Sequence, residues 1–162
     1  MHKDYIMRMI EQFVQALVAI VTARKAENYE QAFHQIQNAS LRFLKADIAA
    51  LLNKTPDELV EYFTVGSTCD SEQSVICADL IYETALICES TQSDNASIHF
   101  KMLSLNLYLN AIPLDKQFQT PFYMERVNNL VKDLQSKTIP KNMENRVLAF
   151  RNYFSDPSFP TN

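Results

Sequence analysis

Glycine is nearly absent. The chain has one, Gly66, in 162 residues, where average usage of about 7% would give roughly eleven. Glycine supplies the positive φ of tight hairpin turns and lets backbone approach a phosphate closely. A chain with a single glycine is not built from many β-hairpins, and it holds no glycine-rich nucleotide loop or dinucleotide fingerprint. Helices joined by polar and proline-marked loops need few glycines, so the expectation is an all-α fold.

Basic charge is scarce too. The net charge is −4 with a pI near 5.3, and the nearest thing to a basic cluster is Arg24-Lys25. Non-specific nucleic-acid binding needs a basic stripe, and docking on an anionic membrane needs a polybasic segment. Neither partner is expected. The longest apolar run, Phe13 to Val21, is broken by Gln15 and falls far short of the ~20 residues a membrane span needs. The opening Met1-His2-Lys3-Asp4 does not read as the basic start of a signal peptide, and a cytoplasmic location is expected.

There are three cysteines, Cys69, Cys77 and Cys88. An odd number at these spacings is no disulfide framework. Cys77 and Cys88 are eleven residues apart, about 16 Å of helical rise, whereas a disulfide needs Cα atoms within about 7 Å. Free thiols in a reducing compartment follow. The three histidines, His2, His34 and His99, do not lie at the i, i+3 or i+4 spacing of a helical zinc site. His34 and His99, with Cys88, would meet only through packing of two hairpins. No metal or cofactor is expected.

What is present is ordinary globular material, 47% hydrophobic and 21% charged, long enough to bury a core without staples. One helical domain over residues 1–154 is expected, followed by an extended or frayed tail over 155–162. The first segment, about 3–25, carries Ile6, Ile10, Phe13, Leu17, Ile20 and Val21 at helical spacing. Met7, Met9, Val14 and Val18 widen that face until the helix is apolar over most of its circumference. It reads as the central helix or as part of a dimer interface, with Asp4 and Arg8 placed to pair one turn apart. A second helix, about 28–46, opens at Asn28 and follows so short a link that the two form an antiparallel hairpin.

A short apolar turn over 47–53 comes next. Thr55-Pro56-Asp57-Glu58 then reads as a capping box with proline at the first helical position, and that helix ends near Thr64 before Gly66 breaks the chain. A fifth segment spans about 71–91 and a sixth about 94–111. In the sixth, Leu103, Leu105, Leu107 and Leu109 alternate with Ser104, Asn106 and Tyr108 in a strand period. No comparable second strand exists to pair with it, and an isolated strand is not viable, so helix is expected. A polar loop over 114–120 leads to helices starting at Pro121 and after Pro140. The total is seven to eight helices.

The run Asn28-Tyr29-Glu30-Gln31-Ala32, with Ile36 and Ala39, is similar to the start of the second helix of a tetratricopeptide hairpin. Ala96, Phe100 and Leu103 occupy comparable places in a second hairpin roughly 64–67 residues on, about two 34-residue repeats. The strict pattern is missing, since the chain has no tryptophan. The opening Lys3-Asp4-Tyr5-Ile6-Met7-Arg8-Met9-Ile10-Glu11 resembles an uncharacterised bacterial family of small tetratricopeptide-like helical proteins, which has no assigned activity. The resemblance implies hairpins stacked as an α-α superhelix or closed into an irregular bundle.

Chemistry-bearing residues fit structural roles. Cys77 and Cys88 lie on an apolar stripe, where free cysteine acts as a small hydrophobe. Cys69 stands beside Asp70, whose charge disfavours a thiolate. Asp57, Glu58 and Glu61 complement a helix dipole. Ser67, Ser71 and Ser74 suit capping and loops. Tyr5, Arg8 and Met9 share one side of the first helix and are residue types enriched at interfaces; they are the candidate partner-binding residues. The expected function is non-enzymatic: a scaffold or adaptor taking a protein or peptide partner, with self-association as a homodimer through the first helix as a variant. The alternative is a small-ligand-binding or regulatory helical bundle.

Overall fold

A computed structural model describes residues 2–91, 93–137 and 139–154, the side chains of residues 2, 3 and 6 excepted. The tail over 155–162 and the side chains of His2 and Ile6 lie outside what is described. Among the described residues the chain forms eight α-helices and one two-stranded hairpin, so the fold is all-α.

Helix α1 (His2–Lys25) and helix α2 (Tyr29–Ala39) are joined by a tight reversal. Glu27 takes a left-handed φ of 61°, and the Asn28 N–H returns to the carbonyl of Ala23. The Asn28 side chain then caps α2 by accepting from the Gln31 N–H. α2 runs on through a π-helical turn, Ser40–Leu44, and stops at Lys45 with φ 56°. The second helix expected to Ala46 is therefore α2 plus this wider turn.

Asp47 caps the short α3 (Ile48–Leu52). Thr55 opens α4 (Pro56–Tyr62) with the expected capping box: its hydroxyl accepts from the Glu58 N–H, and the Glu58 carboxylate accepts from the Thr55 N–H. The hydrogen bond from the Thr55 backbone holds the Glu58 carboxyl below its ordinary range. The break at Gly66 is a β-hairpin, β1 (Thr64–Val65) against β2 (Thr68–Cys69), with Thr64 opposite Cys69. The one glycine, at φ 64°, is spent on the one hairpin among the described residues.

Helices α5 (Ser71–Ser90) and α6 (Asp94–Ala111) form the centre. In α5 every residue from Ser74 to Cys88 is buried except the half-buried Tyr82 and Leu86. Two short 3-10 turns, Ile112–Leu114 and Lys116–Phe118, make up most of the expected polar loop, and Phe118 is buried. Helices α7 (Pro121–Leu134) and α8 (Lys141–Tyr153) follow. α6 packs against α4, α5, α7 and α8, while α5 receives α1 and α2. Helices in a row of stacked repeats touch their sequence neighbours; here the others wrap a central hairpin, so the arrangement is an irregular bundle.

Two expectations resolve here. The strand-like alternation at 103–109 is helical, because α6 is buried all round over those residues and its polar positions there bond to neighbouring elements. The Ser104 hydroxyl donates to Ala78 O, the Asn106 amide donates to Pro56 O, and the Tyr108 hydroxyl donates to Asp79. α1, in contrast, is not the central helix. It buries Phe13, Ile20 and Ala23, while Met7, Val14 and Val18 stay at least half exposed at 52%, 50% and 59%. Asp4 and Arg8 are both exposed and no ion pair joins them.

Candidate functional site

The most polar interior lies along α5. Asp79 and Glu83 sit one helical turn apart and are each 1% exposed. An unpaired buried carboxylate is costly, and both are paired. The Asp79 carboxylate accepts from the Tyr108 hydroxyl on α6 and, at 2.8 Å, from the Tyr123 hydroxyl on α7. The Arg126 guanidinium, also on α7, lies 3.3 Å away. That guanidinium is sandwiched between rings, 4.1 Å from the centre of Tyr82 and 4.7 Å from that of Phe122. Glu83 takes the Arg24 Nε of α1 at 2.6 Å. On α6, the buried Lys101 ammonium reaches Glu89 and Asp133.

Burial pushes the Asp79 carboxyl up to about 6, against the opposing pull of Arg126 and the two tyrosine hydroxyls. Burial and the Asp79 charge likewise raise the Tyr108 and Tyr123 hydroxyls well above their usual range. A perturbed carboxyl beside tyrosines and an arginine is a pattern worth testing for acid–base chemistry. Here both Asp79 oxygens are occupied by groups of the protein itself. The adjoining cleft, lined by Ile10, Val14, Leu17, Phe118 and Tyr123, has a volume of only about 50 Å³. The cluster's evident work is to tie α1, α5, α6 and α7 together.

The second feature is on the surface. Tyr5, Arg8 and Met9 of α1 line one groove of about 610 Å³ together with Gln12, Arg42 and Phe43. The structure thus brings the three candidate partner-binding residues to a single place. Arg42 forms one wall, donating to Gln12 at 2.8 Å and lying over the Phe43 ring. On another side of α1, Met7, Val14 and Val18 are exposed.

The remaining residues take simpler places. His34 is exposed, and the His99 ring lies 3.1 Å from the Leu52 carbonyl. His34, His99 and Cys88 do not assemble: no group of three His, Cys, Asp or Glu that could hold a metal occurs among the described residues. All three cysteines are free thiols. Cys77 and Cys88 are buried, and burial raises both thiols. Cys69 is half-buried rather than open, within reach of the Ser74 hydroxyl and the Asn110 amide. The Asp57 carboxylate pairs with Arg146 at 2.8 Å, and Ser71 donates to Asp115.

Sequence reasoning missed Asp79, Glu83, Tyr108, Tyr123 and Arg126. The available signal was a pair of carboxylates one turn apart inside an otherwise apolar stretch, Val75 to Cys88. Fold and surface together define an all-helical bundle with an internally satisfied charge cluster and one uncovered helix flank. No protein-family model matches the chain, and no curated protein or solved structure matches it either. No helix among the described residues is long and apolar enough to cross a membrane.

Proposed function

We propose that this protein is a non-enzymatic interaction module that receives a protein partner along α1. The observation that carries this reading is that one helix offers two surfaces: the Tyr5–Arg8–Met9 groove and, on another side, the exposed flank of Met7, Val14 and Val18. Single exposed apolar side chains are normal on a surface, whereas a contiguous apolar patch marks an interaction site. Three free thiols fit a cytoplasmic setting for such a module. The test compares what wild-type protein and a Val14→Lys/Val18→Lys variant retain in affinity capture, with circular dichroism checking that both are folded. Loss of specific proteins from the variant alone is expected; identical recovery removes the basis of the reading.

A second reading rests on a separate cleft of about 340 Å³ between α4, α6 and α8, lined by Val60, Leu109, Pro113 and Phe150 with Asn106 and Arg146 at its polar end. Its size is that of small-ligand pockets. Arg146 is already held by Asp57 and Asn106 at 2.8 and 2.7 Å, so a ligand would compete with a formed ion pair. A thermal-shift screen in which no compound stabilises wild type over an Arg146→Ala variant discards it.

A further inference from the structure

We infer that the partner on the α1 flank is a second copy of this chain, docked antiparallel along α1. The inference rests on the interaction reading above and names its occupant. α1 spans 24 residues, and a heptad seam runs along the border between its exposed flank and the side where Ile10 and Leu17 line the cleft with Phe118 and Tyr123. Met7, Val14 and Val21 recur every seven residues, with Ile10 and Leu17 at the intermediate positions. Met7 and Val14 are exposed, while Ile10, Leu17 and Val21 are only half-buried by their own chain. An apolar residue at each of these two positions is what a pair of coiling helices requires.

The charges choose the direction. The position bordering the seam on its outer side holds, in order, Asp4, Glu11, Val18 and Lys25, all exposed. The opposite border holds Phe13 and Ile20, which are buried in the chain's own core and leave that side closed to a partner. Reversing one helix brings the outer borders of the two copies together, whereas a parallel pair sets each outer border against the inaccessible one. Val14 falls at the midpoint between Asp4 and Lys25. Centring the pair there sets each Asp4 opposite Lys25 of the second copy, twice, and each Glu11 beside Val18. Among the described residues neither Asp4 nor Lys25 has an ion-pair partner; the neighbouring Arg24 is the one engaged, with Glu83.

Geometry narrows the crossing. Asp4 and Lys25 lie about 16 Å from the centre along the axis. Helices crossing near 20° separate sideways by roughly 6 Å at that distance, and those crossing near 50° by roughly 13 Å. Only the shallow crossing keeps the charges in reach, and it is the crossing a heptad seam produces. A strip about 36 Å long and 10 Å wide is about half the ~800 Å² per partner of a stable complex. The pair is therefore weak and concentration-dependent.

Sedimentation equilibrium over a wide concentration range tests this with four chains. Wild type is expected to dimerise reversibly. Val14→Lys should weaken the dimer by about tenfold or more, since it places two like charges at the centre. Asp4→Lys alone should weaken it about threefold to tenfold, as loss of two rim pairs does. The double variant Asp4→Lys/Lys25→Asp should recover wild-type affinity, because reversal of both members restores each pair only when the copies run antiparallel. Failure of that recovery overturns the antiparallel docking. A wild type monomeric at every concentration overturns self-docking altogether. If capture of another protein still depends on Val14 and Val18 in that case, the interaction reading survives the loss of this one.

Discussion

α1 and α5 are the two longest helices, and both have too many apolar residues for one face. α5 is covered on every side, and its two interior carboxylates each have a cationic partner within the chain: Arg126 for Asp79 and Arg24 for Glu83. α1 is covered on one side, and Asp4, Glu11 and Lys25 on its exposed border form no ion pair among the described residues. The breadth of an apolar arc therefore does not separate a central helix from a peripheral one. The fate of the charges within that arc does. Where they are satisfied internally the helix belongs to the core, and where they are left open the helix lies at the surface.

The sharpest way to break that contrast is to remove the charge from α5. Asp79→Ala leaves Arg126 without its carboxylate and the Tyr108 and Tyr123 hydroxyls without their acceptor. Breaking a buried ion pair by deleting one partner costs about 3–5 kcal/mol. Urea unfolding should show a drop of that order, with the slope of the transition unchanged. A loss below about 1 kcal/mol would mean that the cluster does not hold α7 against α5 and α6.

A smaller effect follows from titration of the same group. The Asp79 carboxyl is raised from its ordinary 3.8 to about 6, burial being the leading cause. Between these values the native chain binds a proton that the unfolded chain has released. The associated stability is fully present below about pH 4 and is lost as pH rises through 6, amounting to roughly 3 kcal/mol. Glu58, whose carboxyl is held low by its capping bonds, slopes the other way. The informative quantity is therefore the difference between wild type and Asp79→Asn. That difference should shift against wild type from pH 4 to pH 7; a flat difference would place Asp79 in a wetter site than its 1% exposure implies.

Much of this fold was legible because its punctuation is local. The Thr55 capping box, the Asn28 cap and the scarcity of glycine each act within a few residues, and each predicted its element. The place of α1 was not legible, because its pattern is satisfied equally by a core and by a second copy; only the position of α5 shows that α1 is not the core helix. The Asp79 cluster was hidden for a related reason. Its members, residues 79, 108, 123 and 126, lie on three different helices, and a carboxylate in an apolar helix names no partner until the helices are assembled. The Leu103–Leu109 alternation misleads in the same way: Ser104 and Asn106 look solvent-facing, but their partners Ala78 and Pro56 lie on other elements.

The smallest expected effect is the most discriminating between the two helices. Val14 and Val18 are 50% and 59% exposed, and a lysine at either position can extend its charge into water while its stem stays on the apolar flank. Replacing both should change the unfolding free energy of the monomer by no more than about 0.5 kcal/mol, as surface substitutions do. Valine lowers helix propensity slightly through its stiff χ1, so lysine should, if anything, favour α1. The measurement is denaturant unfolding at a concentration low enough to keep the chain monomeric. A large loss would place these valines in the chain's own core and dissolve the distinction between α1 and α5. No loss, joined to loss of association, would leave association as the role the measurements assign to this flank.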